Sequence, residues 1–139
     1  MFYFVGPEVA GGLGDNTVMD TSYHPPVVSE LEYQFDGWLG DEILEIFPCF
    51  IVTKSLAALF VKHKLSGFAL EKVKISKSEQ FNDVYPDVGL PEFFWLKVVG
   101  SAGIDDFGLS DDYRLVVSDS TVSLFGKAKV NNAEFENFR

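Results

Sequence analysis

The residues best equipped for chemistry are two pairs of adjacent carboxylates, Asp105-Asp106 and Asp111-Asp112, with Asp83, Asp87 and Glu92 upstream. A divalent-ion site would want alternating acids closed by a bidentate Glu, a spacing these segments lack. A glycosidase pair would need one acid and one base across a sugar cleft, and nothing else in the chain marks a cleft. Solvated loop charge without a role needs nothing further. An electrostatic face for a basic protein needs clustered charge on loops, because such charge steers association and fixes register. That face is the leading expectation.

The other reactive groups are sparse. Cys49 is the single cysteine, so it has no internal disulfide partner and reads as a plain buried thiol. His24 precedes Pro25-Pro26 in a loop, and His63 falls between Lys62 and Lys64. A Cys49-His63 pair is a formal nucleophile-base option. Yet a strand and a helix separate them, and the far end of that helix would have to return to the strand start. Gly11-Gly12-Leu13-Gly14 lacks the Lys-Ser/Thr of a phosphate loop and reads as a flexible loop. Asp106-Phe107-Gly108 matches a kinase tripeptide in a chain with no catalytic loop, and is set aside. No catalytic residue, metal site or cofactor is expected. Trp38, between Gly37 and Gly40, has the look of an interface anchor on a turn. The run Phe93-Phe94-Trp95 reads as core, with Phe94 and Leu96 on one strand face and Phe93 and Trp95 on the other.

Charge narrows the partners. The chain has 139 residues and a net charge of −10, which argues against nucleic acid, since phosphate binding rests on clustered Lys and Arg. Basic partners are the complement. The charge is uneven: residues 1–52 hold nine acidic side chains and no Lys or Arg, whereas residues 53–78 hold six Lys against Glu71. Residues 79–112 hold eight acids against Lys97. The opening Met1-Phe2-Tyr3-Phe4-Val5 has no basic flank and is cut by Gly6-Pro7, so it does not read as a secretory signal. Apolar runs fall well short of the roughly 18 residues of a membrane span. A cytoplasmic protein with no membrane contact is expected. A content of 47% hydrophobic residues with 14 Phe requires a packed interior.

The elements that must hold these residues show an internal repeat. Shifted by 65 residues, Phe50–Leu65 lies over Leu115–Val130 without a gap. Val52, Ser55, Leu59, Phe60, Lys62, Lys64 and Glu71 recur as Val117, Ser120, Leu124, Phe125, Lys127, Lys129 and Glu136. In each copy a β-branched run predicts a strand, and Thr53 or Ser118 is placed to cap the helix that follows. Apolar residues at helical spacing then give that helix one buried face. Lys62 to Lys64 suit its last turn, and Gly67 or Asn132 tolerates left-handed angles beyond it. Phe68, Leu70, Val73 and Ile75 alternate as one further strand, echoed by Ala133, Phe135 and Phe138. Phe2–Val5 and residues 30–35 read as strands, residues 92–99 as a central strand, and Gly6–Asp20 as a loop. The acidic segments 79–92 and 101–113 read as surface loops. The expected fold is one α+β domain over residues 1–139. Its mixed or antiparallel sheet carries two helices from the duplicated strand-helix-strand unit at 50–73 and 115–138.

These patterns resemble a known group. Phe47-Pro48-Cys49-Phe50-Ile51-Val52-Thr53 with its helix and Leu65-Ser66-Gly67-Phe68, then Phe94-Trp95-Leu96-Lys97-Val98-Val99, is similar to bacterial immunity proteins. Leu115-Val116-Val117-Ser118 with its helix and Val130 to Phe138 continue the likeness. Such proteins are cytoplasmic antidotes encoded beside toxins of contact-dependent and other polymorphic-toxin systems. The resemblance implies a non-catalytic protein that binds and neutralises one cognate toxin domain, often a nuclease, and it assigns no contact residue. The partner-binding set expected from the residues themselves is Asp83, Asp87, Asp105, Asp106, Asp111, Asp112 and Trp38. An acidic adaptor module without a toxin partner is the alternative, and a small hydrolase comes third.

Overall fold

The structure, a computed structural model, describes residues 1–139. It contains β1 (Phe2–Gly6), β2 (Gly11–Leu13), β3 (Val18–Asp20), β4 (Val27–Glu30), β5 (Glu32–Phe35), β6 (Ile43–Ile46), β7 (Cys49–Thr53), α1 (Lys54–Lys62), β8 (Phe68–Glu71) and β9 (Lys74–Lys77). The chain continues through α2 (Glu79–Val84), β10 (Phe93–Val98), β11 (Phe107–Leu109), β12 (Leu115–Ser118), α3 (Asp119–Phe125) and β13 (Glu134–Phe138). Strand accounts for 40% of residues and helix for 16%, which makes this an α+β fold dominated by sheet.

Local chemistry explains the two repeated helices. Thr53 is extended, and its hydroxyl accepts from the Leu56 N–H at 3.2 Å; Ser118 does the same for Thr121 at 3.3 Å. Each satisfies an N–H that the first helical turn would otherwise leave unpaired. Leu56, Ala57 and Phe60 face inward from α1, and Thr121, Leu124 and Phe125 from α3. After α1, Lys64 at φ 54° turns the chain, and Gly67 at φ 93° follows. A Cβ on Gly67 would lie 2.1 Å from the Phe107 carbonyl oxygen, so glycine is required there on both counts.

The duplication extends beyond the strand-helix-strand unit. One antiparallel sheet runs β6-β7-β10-β8 and another runs β11-β12-β1-β13. In each, the strands on either side of a helix flank a third strand, and a hairpin partner sits at the edge. The registers coincide. Phe93, Phe94 and Trp95 face Thr53, Val52 and Ile51, as Phe2, Tyr3 and Phe4 face Ser118, Val117 and Val116. Trp95 and Leu96 face Glu71 and Leu70, as Phe4 and Val5 face Glu136 and Phe135. Lys54 N–H donates to the Glu92 carbonyl at 2.9 Å and Asp119 N–H to that of Met1 at 3.1 Å. Thus β1 stands where β10 stands, and the second unit takes its central strand from the opposite end of the chain. The chain leaving each central strand then crosses to the other sheet, through parallel bridges Glu8 to Leu44 and Ser101 to Leu109.

Two cores result. The first gathers both units: Phe50, Val52, Phe60 and Leu96 meet Leu115, Val117, Phe125 and Val5. The Phe60 and Phe125 rings lie 6.3 Å apart. The second lies on the other face of the first sheet, where Cys49, Ile51, Phe93 and Trp95 pack against Leu31, Tyr33, Phe35 and Phe81. This extra layer is β2-β5-β9, in which β5 and β9 are parallel, together with α2. A separate hairpin, β3-β4, completes the fold. Phe93 and Trp95 therefore face one core and Phe94 and Leu96 the other, as alternation requires.

Several expectations are corrected. A third helix joins the two of the repeat, because residues 79–92 are not all loop: Ser78 Oγ accepts from Phe81 N–H at 3.1 Å and starts α2, which buries Phe81. Gly6–Asp20 is not all loop either, since Gly11–Leu13 pairs with β5 and Val18–Asp20 with β4. Segment 101–113 contains β11. Residues 68–75 are two strands in different sheets, with Phe68 and Leu70 in the first core and Val73 and Ile75 in the second. Asn132 is not left-handed; α3 is capped by Gly126 in right-handed geometry.

Candidate interaction surface

Most of the acids nearest the repeat hold the fold together. Asp106 accepts from Ser66 N–H at 2.8 Å and from Ser118 Oγ at 2.6 Å, while its carbonyl accepts from Ser118 N–H at 3.0 Å. Glu42 is its counterpart. Its carboxylate accepts from Thr53 Oγ1 at 2.8 Å and Lys129 N–H at 2.7 Å, and its carbonyl from Thr53 N–H at 2.9 Å. Each acid thus joins the cap of its own helix to the loop that follows the other unit's helix. Asp41, 1% exposed, accepts from Asn131 N–H, Asn132 N–H and Asn132 Nδ2 at 2.8–3.0 Å. Three donors compensate a charge that burial alone would penalise. Asp105 accepts from Ser101 N–H at 2.8 Å. Of the four acids read as a partner face in segment 101–113, Asp105 and Asp106 are committed internally. Asp111 and Asp112 are exposed at the tip of the β11-β12 hairpin, where Asp112 accepts from Ser110 Oγ.

The other expected residues, Asp83, Asp87 and Trp38, lie in or next to the extra layer. Asp36 N–H and Gly37 N–H both donate to the Ala10 carbonyl, at 2.9 and 3.2 Å. The buried carboxylate of Glu8 then accepts from Leu39 N–H at 2.7 Å and Asp41 N–H at 3.2 Å. Trp38 packs edge-on to Phe35 and Phe93, and its indole N–H donates to the Asp41 carbonyl at 2.9 Å. So fixed, turn 36–41 holds Leu39 outward at 73% exposure. Val9 (61%), Val84 (59%) and Tyr85 (41%) are also exposed around the same groove. Its volume is about 410 Å³, and Asp36 lines it together with Trp38. Asp83 sits beside Val84 on α2 and Asp87 just beyond Pro86, both exposed. An exposed apolar patch with a polar edge, here Asp36, has the anatomy of a protein contact.

The remaining chemistry is closed or dispersed. Burial pushes the Cys49 thiol up to about 12, with Lys97 opposing weakly, so no reactive thiolate forms near neutrality. Cys49 faces the second core while α1 packs on the first, which keeps His63 on the other side of the sheet. Burial also raises the Tyr33 hydroxyl to about 12; it accepts from Ala10 N–H and donates to the Glu45 carbonyl. Gly11 to Leu13 is a strand edge against β5, and Phe107 of the Asp-Phe-Gly run is fully buried.

Of the residues expected from the sequence, Trp38 lines this groove, whereas Val9, Leu39, Val84 and Tyr85 were not expected there. Their signal was local: Trp38-Leu39 is an apolar pair on a glycine-bounded turn, and Val84-Tyr85 precedes Pro86 at a helix end. No family model matches this chain, and no curated protein matches it. No helix is long and apolar enough to cross a membrane.

Proposed function

We propose that this chain is a non-catalytic inhibitor that binds and neutralises a basic bacterial toxin domain in the cytoplasm, as an immunity protein does. The observation that carries this reading is the groove of Val9, Trp38, Leu39, Val84 and Tyr85, which Asp36 also lines. Exposed aliphatic and aromatic side chains there are fixed by hydrogen-bonded backbone, so little ordering entropy is spent on docking. Asp36 beside them, in a chain of net charge −10, favours a partner whose own surface is basic, as a nuclease surface is. The internal commitment of Glu8, Asp41, Asp105 and Asp106 favours binding over acid-base catalysis.

The test is co-expression with the protein encoded by the adjoining gene. A stable complex that protects the host from that protein is expected. Turnover of a substrate by the purified chain, or no association, would contradict the reading.

A further inference from the structure

We propose that the outer edge of β13 receives an extended segment of a protein partner, its side chains alternately apolar and basic, as one further antiparallel strand of the second sheet. This edge shares no residue with the groove and does not rest on the toxin reading. The ladder fixes which backbone groups are free. Asp119 N–H donates to the Met1 carbonyl at 3.1 Å, so in the register of β1 with β12 the odd-numbered residues of β1 bond to β12. The even-numbered residues Phe2, Phe4 and Gly6 therefore bond to β13, through Phe138, Glu136 and Glu134. Phe135 and Asn137 are left with their N–H and C=O groups directed away from the sheet. Both residues are exposed, and no hydrogen bond from elsewhere in the chain reaches these groups.

The other edges of the two duplicated sheets are shielded. Glu8 bridges to Leu44 along β6, and Ser101 to Leu109 along β11. Strand β8 starts where Ser66 accepts from Phe107 N–H at 3.1 Å, and it runs into Lys72, a charge that discourages pairing. The five residues of β13 carry no bridge, lysine or proline, and an edge without such devices is where extended peptides add. Its side chains select the occupant. Glu134 and Glu136 are exposed on one face, Glu136 3.2 Å from Arg114 and Glu134 without a basic partner. On the other face Phe135 is 45% exposed, although its ring lies 6.3 Å from that of Phe125. A strand laid along β13 sets a basic side chain beside Glu134 and an apolar one beside Phe135. A second copy fits less well: antiparallel pairing of the whole strand with itself puts Glu136 opposite Glu136, and each copy has a net charge of −10.

The experiment is amide hydrogen exchange by NMR on the full chain, alone and with a synthetic Lys-Val-Lys-Val-Lys-Val peptide, whose affinity is read in parallel by fluorescence anisotropy. In the free chain the Phe135 and Asn137 amides should exchange fast and those of Glu136 and Phe138 slowly. Saturating peptide should slow the first pair at least about tenfold. The same peptide N-methylated at its valines keeps every charge but lacks the donors that face β13. It should bind at least about tenfold more weakly, the scale of one or two backbone hydrogen bonds. Asn137→Pro removes an outward donor and no bond to β1, so it should lose binding with an unchanged circular dichroism spectrum. Absence of peptide binding, unchanged exchange at Phe135 and Asn137 with peptide bound, or equal binding of the N-methylated peptide would overturn the proposal. Full binding by folded Asn137→Pro would do the same. Protection of both amides that grows with the concentration of the chain alone would give the edge to a second copy and overturn the basic occupant. The peptide readout requires no toxin, so failure here and failure of the proposed function are separate results.

Discussion

Acids of one type meet opposite fates within seven residues. Asp106 is held by donors from the loop after α1 and from the α3 cap, and Asp111 faces water. Asp106→Ala should therefore cost about 2–3 kcal/mol in chemical denaturation, because Ser66 N–H and Ser118 Oγ lose a charged acceptor. Asp111→Asn should stay within about 0.5 kcal/mol, as surface changes do. The two buried acids of the second core set the alkaline limit. Cys49 and Tyr33 rise from 9.0 and 10.0 to about 12. Below about pH 9 both are protonated in folded and unfolded chains and stability is indifferent to them. Above it the unfolded chain releases protons that the fold retains, so stability falls progressively toward pH 12. Urea midpoints measured from pH 7 to 11 should show that decline. Cys49 should also stay unlabelled by a thiol reagent at pH 7.5 until denaturant is added.

At the scale of elements, what was legible depended on length and repetition. The repeated strand-helix units were readable because each carries a hydroxyl cap, an apolar face and a β-branched strand, and because the second copy confirms the first. Helix α2 was not, since its six residues give too few turns for a period to show and Pro86 with Gly89 suggests a loop. The separation of 68–71 from 74–77 shows in the sequence only as a one-residue slip of the alternation between Leu70 and Val73, where the chain passes from one sheet to the other. The two caps offer a comparison. Thr53→Ala and Ser118→Ala should each destabilise by about 1 kcal/mol, and more than that if Glu42 or Asp106, left without its hydroxyl donor, finds no water.

For the molecule as a whole, the fold class and the helix pairing were legible, whereas the equivalence of β1 with β10 was not. Phe2-Tyr3-Phe4-Val5 and Phe93-Phe94-Trp95-Leu96 share only aromatic character, and it is their identical register against the repeat that relates them. The groove was legible only at Trp38, because the turn that aims Leu39 outward depends on Glu8, about thirty residues away in the chain. The equivalence makes its own prediction. Phe2 pairs with Phe138, so a short linker from Arg139 to Met1 would close an ordinary hairpin. Opening the chain at exposed Gly89 should then leave the circular dichroism spectrum unchanged and the melting temperature within several degrees. The central claim, that the groove carries recognition, is tested most directly by titrating the adjoining gene's toxin domain calorimetrically against the native chain and against Leu39→Asp, Tyr85→Ala. Saturable binding by the native chain and a loss of at least about a hundredfold, or roughly 2.7 kcal/mol, in the still-folded variant is the expected result. Undiminished binding by that variant would contradict it.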